Sequence, residues 1–173
     1  SVFGIPEALD AGEKTGVEVI PGIEISCDYR QGEIHILGYF LDWRCPGLEN
    51  YSNAVIQYRK ERGKKMIEKL AGLGFDVCFD EVAEIAGTEY IGRPHVARVL
   101  IQKKYFRSIE EVFEKILGQG KPGYVERYRT TPLEAIKLIL DCRGIPVLAH
   151  PGLFKSDEKT GDELIDELIA GGL

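Results

Sequence analysis

The sequence predicts an α/β chain whose strands are interrupted by a run of helices, and three observations predict it. Two runs dense in β-branched residues, VEVIPGIEIS and EIHILGYFLD, lie close together near the start, which is strand chemistry. From about residue 46 to 124, apolar residues recur at three- and four-residue spacing, which is helix chemistry. Then TPLEAIKLILDCRG runs straight into IPVLAHPG, a helix-to-strand step that restores the α/β rhythm. At 173 residues, 44% hydrophobic and 29% charged, the chain has the material for one sizeable core or a core plus a subdomain.

Taken in order, IPEALDAGEKTG places Ile5, Ala8 and Leu9 on one helical face, with Pro6 suited to a first turn and Gly16 to a stop. The two strand runs follow, the first interrupted by Pro21-Gly22 and separated from the second by the turn-like DYRQG. That short connection fits an antiparallel hairpin or close neighbours in one sheet. Four helices are expected next, in CPGLENYSNAVIQYRKERGKKMIEKLAGLG, CFDEVAEIAG, RPHVARVLIQKKY and SIEEVFEKILGQG. They read as a helical subdomain over 46–124, inserted between α/β parts at 1–45 and 125–173. Thr131 can cap the next helix, Pro132 fits its first turn and Gly144 its end; a buried strand follows. TGDELIDELIAGGL reads as a last helix. With no strand before the first helix and the pattern ending just past the last one, the chain is expected to be a fragment.

A formal charge of -6 argues against broad attraction to a nucleic-acid backbone and leaves room only for a local basic pocket. Cys27, Cys45, Cys78 and Cys142 are scattered, with no CxxC pair, so reduced and mostly buried thiols are expected. No run approaches the roughly 20 apolar residues of a membrane helix and no signal pattern opens the chain, so a cytoplasmic protein is expected. Neither a Gly-rich phosphate loop nor a nucleophile elbow is present, which weighs against nucleotide-cofactor redox and covalent serine chemistry.

Three residues stand out as metal-type side chains on strands. Glu24 lies near the end of its strand, His35 within the next, and His150 at the C-terminal end of the third, the edge where α/β folds bind ligands. A carboxylate with two imidazoles suits a divalent cation of the zinc, manganese or iron type. Taken singly, each histidine reads more often as a core residue satisfied by neighbours, whereas a buried Glu24 would need a positive partner. A second cluster is GRPHVARVL, with Arg93 and His95 at a helix start and Arg98 one turn later. A guanidinium and an imidazole beside free helix amides make an anion site, with phosphate the natural ligand. A Pro-led helix start with surface arginines explains it as well. KERGKK and QKKYFR read as solvated helix faces. YVERYRT reads either as a nucleotide contact or as an exposed connector.

In order along the chain, GIPEALDAGEKTGVEVIPGIEIS, EIHILGYFLD, GRPHVARVL and IPVLAHPG resemble the PHP (polymerase and histidinol phosphatase) family of metal-dependent phosphoesterases. The likeness is nearest to the bacterial branch that removes the 3' phosphate from nucleoside 3',5'-bisphosphates and trims short RNA from its 5' end. The resemblance implies part of a distorted (β/α)7 PHP barrel with an inserted all-helical subdomain. It implies Glu24, His35 and His150 as metal ligands, and Arg93 and His95 as catalytic contacts to substrate phosphate. Divalent manganese, iron or zinc, two or three ions in an intact site, is the implied cofactor. A small nucleotide or short RNA is the implied substrate, with no membrane and no stable protein partner. Members of the family open with Asp-Leu-His-x-His and carry a late Asp-x-His pair, neither of which is in these residues, so the isolated chain is expected to be nearly inactive. The alternatives are a non-catalytic interaction or nucleic-acid-docking module, and a phosphatase of the histidinol-phosphate type.

Overall fold

The computed structural model describes residues 2–30, 32–88, 90–153 and 158–173. Their contacts form two compact units, one of Ser1–Asn53 with Arg129–Leu173 and one of Ala54–Tyr128. Among the described residues no helix is long and apolar enough to cross a membrane.

The first unit opens with helix α1 (Ile5–Thr15), which Gly16 closes in the left-handed conformation at φ 72°. Ile5 and Gly12 are its buried residues and Ala8 is exposed, so the apolar face is rotated from the expected one. Gly12 is there because a Cβ would stand 2.6 Å from the Val17 carbonyl oxygen, and the returning chain leaves no room for one. Strand β1 (Gly22–Tyr29) starts only after Pro21, which has no N–H to give a ladder; the VEVI part of the expected strand is not strand. Strand β2 (Gly32–Tyr39) pairs with it antiparallel, of the two arrangements left open the hairpin. The strands reach further into DYRQG than its turn composition implies. Asp28 pairs with Glu33 and Tyr29 with Gly32, leaving a two-residue connection in which Arg30 takes φ 49°.

Helix α6 (Pro132–Asp141) starts in a capping box. Thr131 accepts from the Glu134 N–H, and the Glu134 carboxylate accepts from the Thr131 N–H and hydroxyl. Those bonds to the charged form hold the Glu134 carboxyl below the usual carboxylate range. After Arg143, at φ 60°, strand β3 (Ile145–Leu148) pairs antiparallel with β2, giving the order β1-β2-β3. The expectation of a buried strand is met only in part, since Ile145 is 56% and Val147 38% exposed. A four-residue apolar run cannot say whether one face or two are covered, and here only the Pro146 face is.

The covered sheet face carries Ile23, Ile25, Cys27, Ile34 and Ile36, in one core with Ala135, Ile136 and Ile139 of α6 and Leu164 and Leu168 of helix α7 (Glu158–Ala170). Each such side chain contributes about 1.5–3 kcal/mol by leaving water. Gly38 permits the close approach of α6, because a Cβ there would lie 2.9 Å from Ile139. At the hairpin tip the Tyr29 hydroxyl donates to Glu167 at 3.0 Å, and Arg30 pairs with Glu163 at 2.8 Å.

The second unit is built of helix α2 (Pro46–Gly72), which enters from the first unit, α3 (Phe79–Ala86), α4 (Arg93–Gln102) and α5 (Ile109–Val112). The last continues as a π-helical turn over Phe113–Leu117. Met66, Leu70, Val82, Val96, Leu100, Val112 and Leu117 form its core. Three α2 side chains hold successive carbonyls of the connector 124–126: Lys69 donates to Tyr124, Arg62 to Val125 and Tyr58 to Glu126. The KERGKK face is therefore not simply solvated, because its Arg62 turns inward and is half-buried.

Cys45 and Cys142 form a disulfide, which overturns the expectation of four reduced thiols; Cys27 is a buried thiol and Cys78 an exposed one. Their separation of 97 residues is what hid the pair from sequence, since only the fold brings the Cα atoms to 5.5 Å. In the chain-entropy account, closing a loop of this size is worth about 4–5 kcal/mol. Reduction by dithiothreitol, or Cys45→Ser with Cys142→Ser, is expected to lower the urea midpoint of the first unit, with a loss of unfolding free energy on that scale. A midpoint that neither treatment moves would show that the bond does not form in solution.

Candidate functional site

On the sheet face turned away from the core, the strand period of two sets out the side chains of Glu24 and Ser26 on β1 and Glu33, His35 and Leu37 on β2. His35 sits opposite Ser26, so Glu24 is its diagonal neighbour. The ladder continues one bond beyond β3, with the Ala149 N–H donating to the His35 carbonyl at 2.9 Å. That bond brings His150 beside His35, with ring centroids 4.9 Å apart and planes at 89°. Ligand atoms of Glu24, His35 and His150 all lie within 4.8 Å of one another.

The contact between Glu24 and His35 is chemically specific. Glu24 Oε1 is 2.8 Å from Nδ1 of His35, yet Nδ1, shut off from solvent, has no hydrogen-bond partner. Distance alone satisfies an ion-pair criterion, whereas a hydrogen bond also requires the oxygen to lie along the N–H direction. We therefore read two acceptor atoms turned toward a common point. A buried polar atom left in this way costs about 1–3 kcal/mol, and a carboxylate oxygen with two imidazole nitrogens is a donor set that fits a divalent cation of the zinc, manganese or iron type.

Glu24 differs from its expected setting. It is the third residue of β1 and not near its end, and its side chain is 51% exposed, so the argument from a buried carboxylate does not apply. The cause is the sheet face it occupies, which the core does not cover. His150 lies two residues beyond β3, before the short 3-10 turn Pro151–Leu153, and takes φ 29°, a left-handed conformation that disfavours a Cβ.

Arg93 and His95 both lie at the start of α4, in the second unit, while the three metal-type residues lie in the first. Each is half-buried and already engaged. Arg93 donates to the Leu117 carbonyl at 3.3 Å and lies over the rings of Phe113 and Tyr124, at 5.3 and 5.5 Å. His95 accepts from the Gly92 N–H through Nδ1 at 3.2 Å, closing the N-terminal turn of its own helix. Arg62 was not singled out from sequence. Burial, followed by the charges of Arg93 and Arg127, pulls its pKa below the ordinary guanidinium value. A cationic cluster of this kind has no sequence signature, because its members are far apart along the chain. Glu33 was also missed; its Oε1 is 2.9 Å from Nε2 of His35. A cleft of about 410 Å³ opens beside the pair, lined by Glu33, His35, Leu148, His150, Leu164 and Ile165 among others.

No family model matches the sequence. The chain is 31% identical over 170 residues to the 3',5'-nucleoside bisphosphate phosphatase of Chromobacterium violaceum, covering 98% of this chain and 60% of the relative. It is 30% identical to a 5'-3' exoribonuclease of Haemophilus influenzae, covering 99% and 62%. Among solved structures, an amidohydrolase from Chromobacterium violaceum with bound sulfate and no metal superposes with a TM-score of 0.80 at 30% identity, over 99% of this chain and 61% of that one. A protein from Bifidobacterium adolescentis described as a metal-dependent phosphoesterase superposes at 0.77 and 26% identity, over 100% and 62%. The chain thus spans about three fifths of the length of the relatives it matches. It is homologous to phosphoesterases. Those of 30% identity or more carry the names nucleoside bisphosphate phosphatase and 5'-3' exoribonuclease, the resemblance that the four motifs implied.

The φ of His150 gives a stability test that is independent of any ligand. Alanine ordinarily stabilises a chain relative to glycine by restricting the unfolded state. At position 150 the order is expected to reverse, His150→Gly being more stable than His150→Ala by about 0.5–1 kcal/mol in urea unfolding. If His150→Ala proves the more stable, the left-handed conformation is not what the folded chain adopts.

Proposed function

We propose that this chain supplies the divalent-metal ligands Glu24, His35 and His150 to a phosphoesterase that hydrolyses nucleotide phosphate esters. The substrate class is a nucleoside 3',5'-bisphosphate or the 5' end of a short RNA. The observation that carries the reading is the convergence of three ligand atoms within 4.8 Å, with the buried Nδ1 of His35 making no hydrogen bond. In a non-catalytic docking module the three side chains would be separately satisfied by neighbours. The naming of the homologues for a phosphatase and for exoribonucleases favours nucleotides over histidinol phosphate.

In this reading the first unit is part of the PHP barrel and the second is the helical subdomain inserted in it. The protein works in the cytoplasm on small nucleotides or short RNA and needs no stable protein partner. Manganese, iron or zinc, when bound, would neutralise phosphate charge and make water a better nucleophile at neutral pH. Glu24 brings the negative charge that favours a dication, and His35 and His150 bring neutral nitrogen lone pairs. Arg93 presents a planar guanidinium suited to two non-bridging phosphate oxygens, beside the amide donors of the α4 start. With Nδ1 of His95 accepting from Gly92, its Nε2 carries the proton and can donate to a third oxygen.

Mn(II) binding, measured by elemental analysis after dialysis and by calorimetry, tests the reading. Glu24→Gln, His35→Ala and His150→Ala are each expected to weaken binding by about tenfold or more, since each removes one donor of a small set. Three variants that bind as the parent does would overturn the assignment. Three donors are few for a site of two or three ions, so phosphate release from a nucleoside 3',5'-bisphosphate by these 173 residues alone is expected to stay near background. Brisk turnover would show that the donor set is larger than Glu24, His35 and His150.

A further inference from the structure

His35 is flanked by two carboxylates, one on each ring nitrogen. Glu33 and His35 are two residues apart on β2 and so project from the same sheet face. Glu33 Oε1 lies 2.9 Å from Nε2 in hydrogen-bonding geometry, while Glu24 Oε1 lies 2.8 Å from Nδ1 without it. An ionised carboxylate only accepts, so the bond to Glu33 requires the proton to sit on Nε2, which leaves Nδ1 bare in the neutral ring. The other tautomer is the one that would disable the site. A proton on Nδ1 could be donated to Glu24, and a small reorientation would then satisfy both ligand atoms with each other.

We infer that Glu33 is a positioning residue: it holds His35 as the Nε2–H tautomer and so turns the bare Nδ1 toward the point shared with Glu24 and His150. The inference rests on the metal-site reading and adds to it the group that keeps two of the three donors from pairing off. Outer partners of this kind, donating or accepting at the far nitrogen of a ligating histidine, fix the tautomer and ring orientation. The competing reading is a solvated glutamate, since the Glu33 side chain is 47% exposed.

The deciding measurement is the tautomer of His35 in the metal-free chain at neutral pH, read from two-bond nitrogen–hydrogen correlations of the imidazole. The parent is expected to show Nε2–H. Glu33→Ala is expected to shift the ring toward Nδ1–H, and Glu33→Gln, whose amide oxygen still accepts, to restore Nε2–H. A parent ring protonated on Nδ1, or a tautomer that Glu33→Ala leaves unchanged, overturns the inference. Zn(II) calorimetry gives the second readout, with about a 10–100-fold loss of affinity expected for Glu33→Ala and a smaller one for Glu33→Gln. If Zn(II) affinity is insensitive to Glu24→Gln and His150→Ala, the metal site itself falls, and the tautomer measurement still decides the role of Glu33.

Discussion

The β1–β2 register is the constraint on which the rest of the first unit depends. Because side chains alternate along a strand, Ile23, Ile25 and Cys27 can enter the core only if Glu24 and Ser26 face away from it. The same holds for Ile34 and Ile36 against Glu33 and His35. A slip of one residue on β2 would drive His35 and Glu33 into the apolar layer under α6, where unpaired polar groups are strongly disfavoured. Hydrophobic burial thus fixes the site by exclusion: the core takes every second residue, and the residues it leaves are the ones with chemistry. The exposed Glu24 and quarter-exposed His35 are a consequence of that division and not a defect in packing.

The third site residue depends on a different device. His150 is beyond the end of β3, so no strand alternation aims it, and its position follows from the last ladder bond, between Ala149 and His35. That bond requires β3 to hold its register on β2, which α6 secures by packing on both strands, with Gly38 clearing the space for Ile139. The left-handed φ of His150 disfavours the local chain by about 1–3 kcal/mol, as does the unpartnered Nδ1 of His35. Both penalties fall on the three residues that converge. In a stable fold, local strain and an unsatisfied polar atom are tolerated where surrounding packing over-determines the conformation, and the isoleucine core supplies that packing here.

The sequence made element types legible wherever a period of two or 3.6 could run uninterrupted. Helices α1 to α6 and the three strands follow from such patterns, and the Thr131–Glu134 box and the Gly16 stop follow from local cap chemistry. Edges were less legible, since the β-branched VEVI run has strand composition but leads into Pro21, while the polar DYRQG is drawn into the hairpin by cross-strand pairing. Burial was the hardest property to read. Ile145 and Val147 have the composition of a core strand, yet among the described residues no layer covers their face. Glu24, His35 and His150 were legible as residue types, but the diagonal relation of the first two was not, because it needs the two-residue connection that DYRQG does not announce. The Cys45–Cys142 bond and the inward turn of Arg62 were not, because each depends on chain segments 97 or about 60 residues away.

The two candidate clusters differ in what holds them, and the difference bears on what each can do. Among Glu24, His35 and His150, the bond from Nε2 of His35 to Glu33 leaves Nδ1, the nitrogen nearest Glu24, without a hydrogen bond. Such a set is preorganised for a cation, because binding replaces no protein–protein hydrogen bond. Arg93 and His95, by contrast, are already bonded to the Leu117 carbonyl and the Gly92 amide. Those bonds act as anchors that limit the freedom either side chain would lose on meeting a further acceptor. Burial, and then the charges of Arg93 and Arg127, lower the pKa of Arg62 in the same unit. The two clusters therefore carry opposite electrostatic imbalances, an excess of acceptors on the sheet and an excess of donors on the helices.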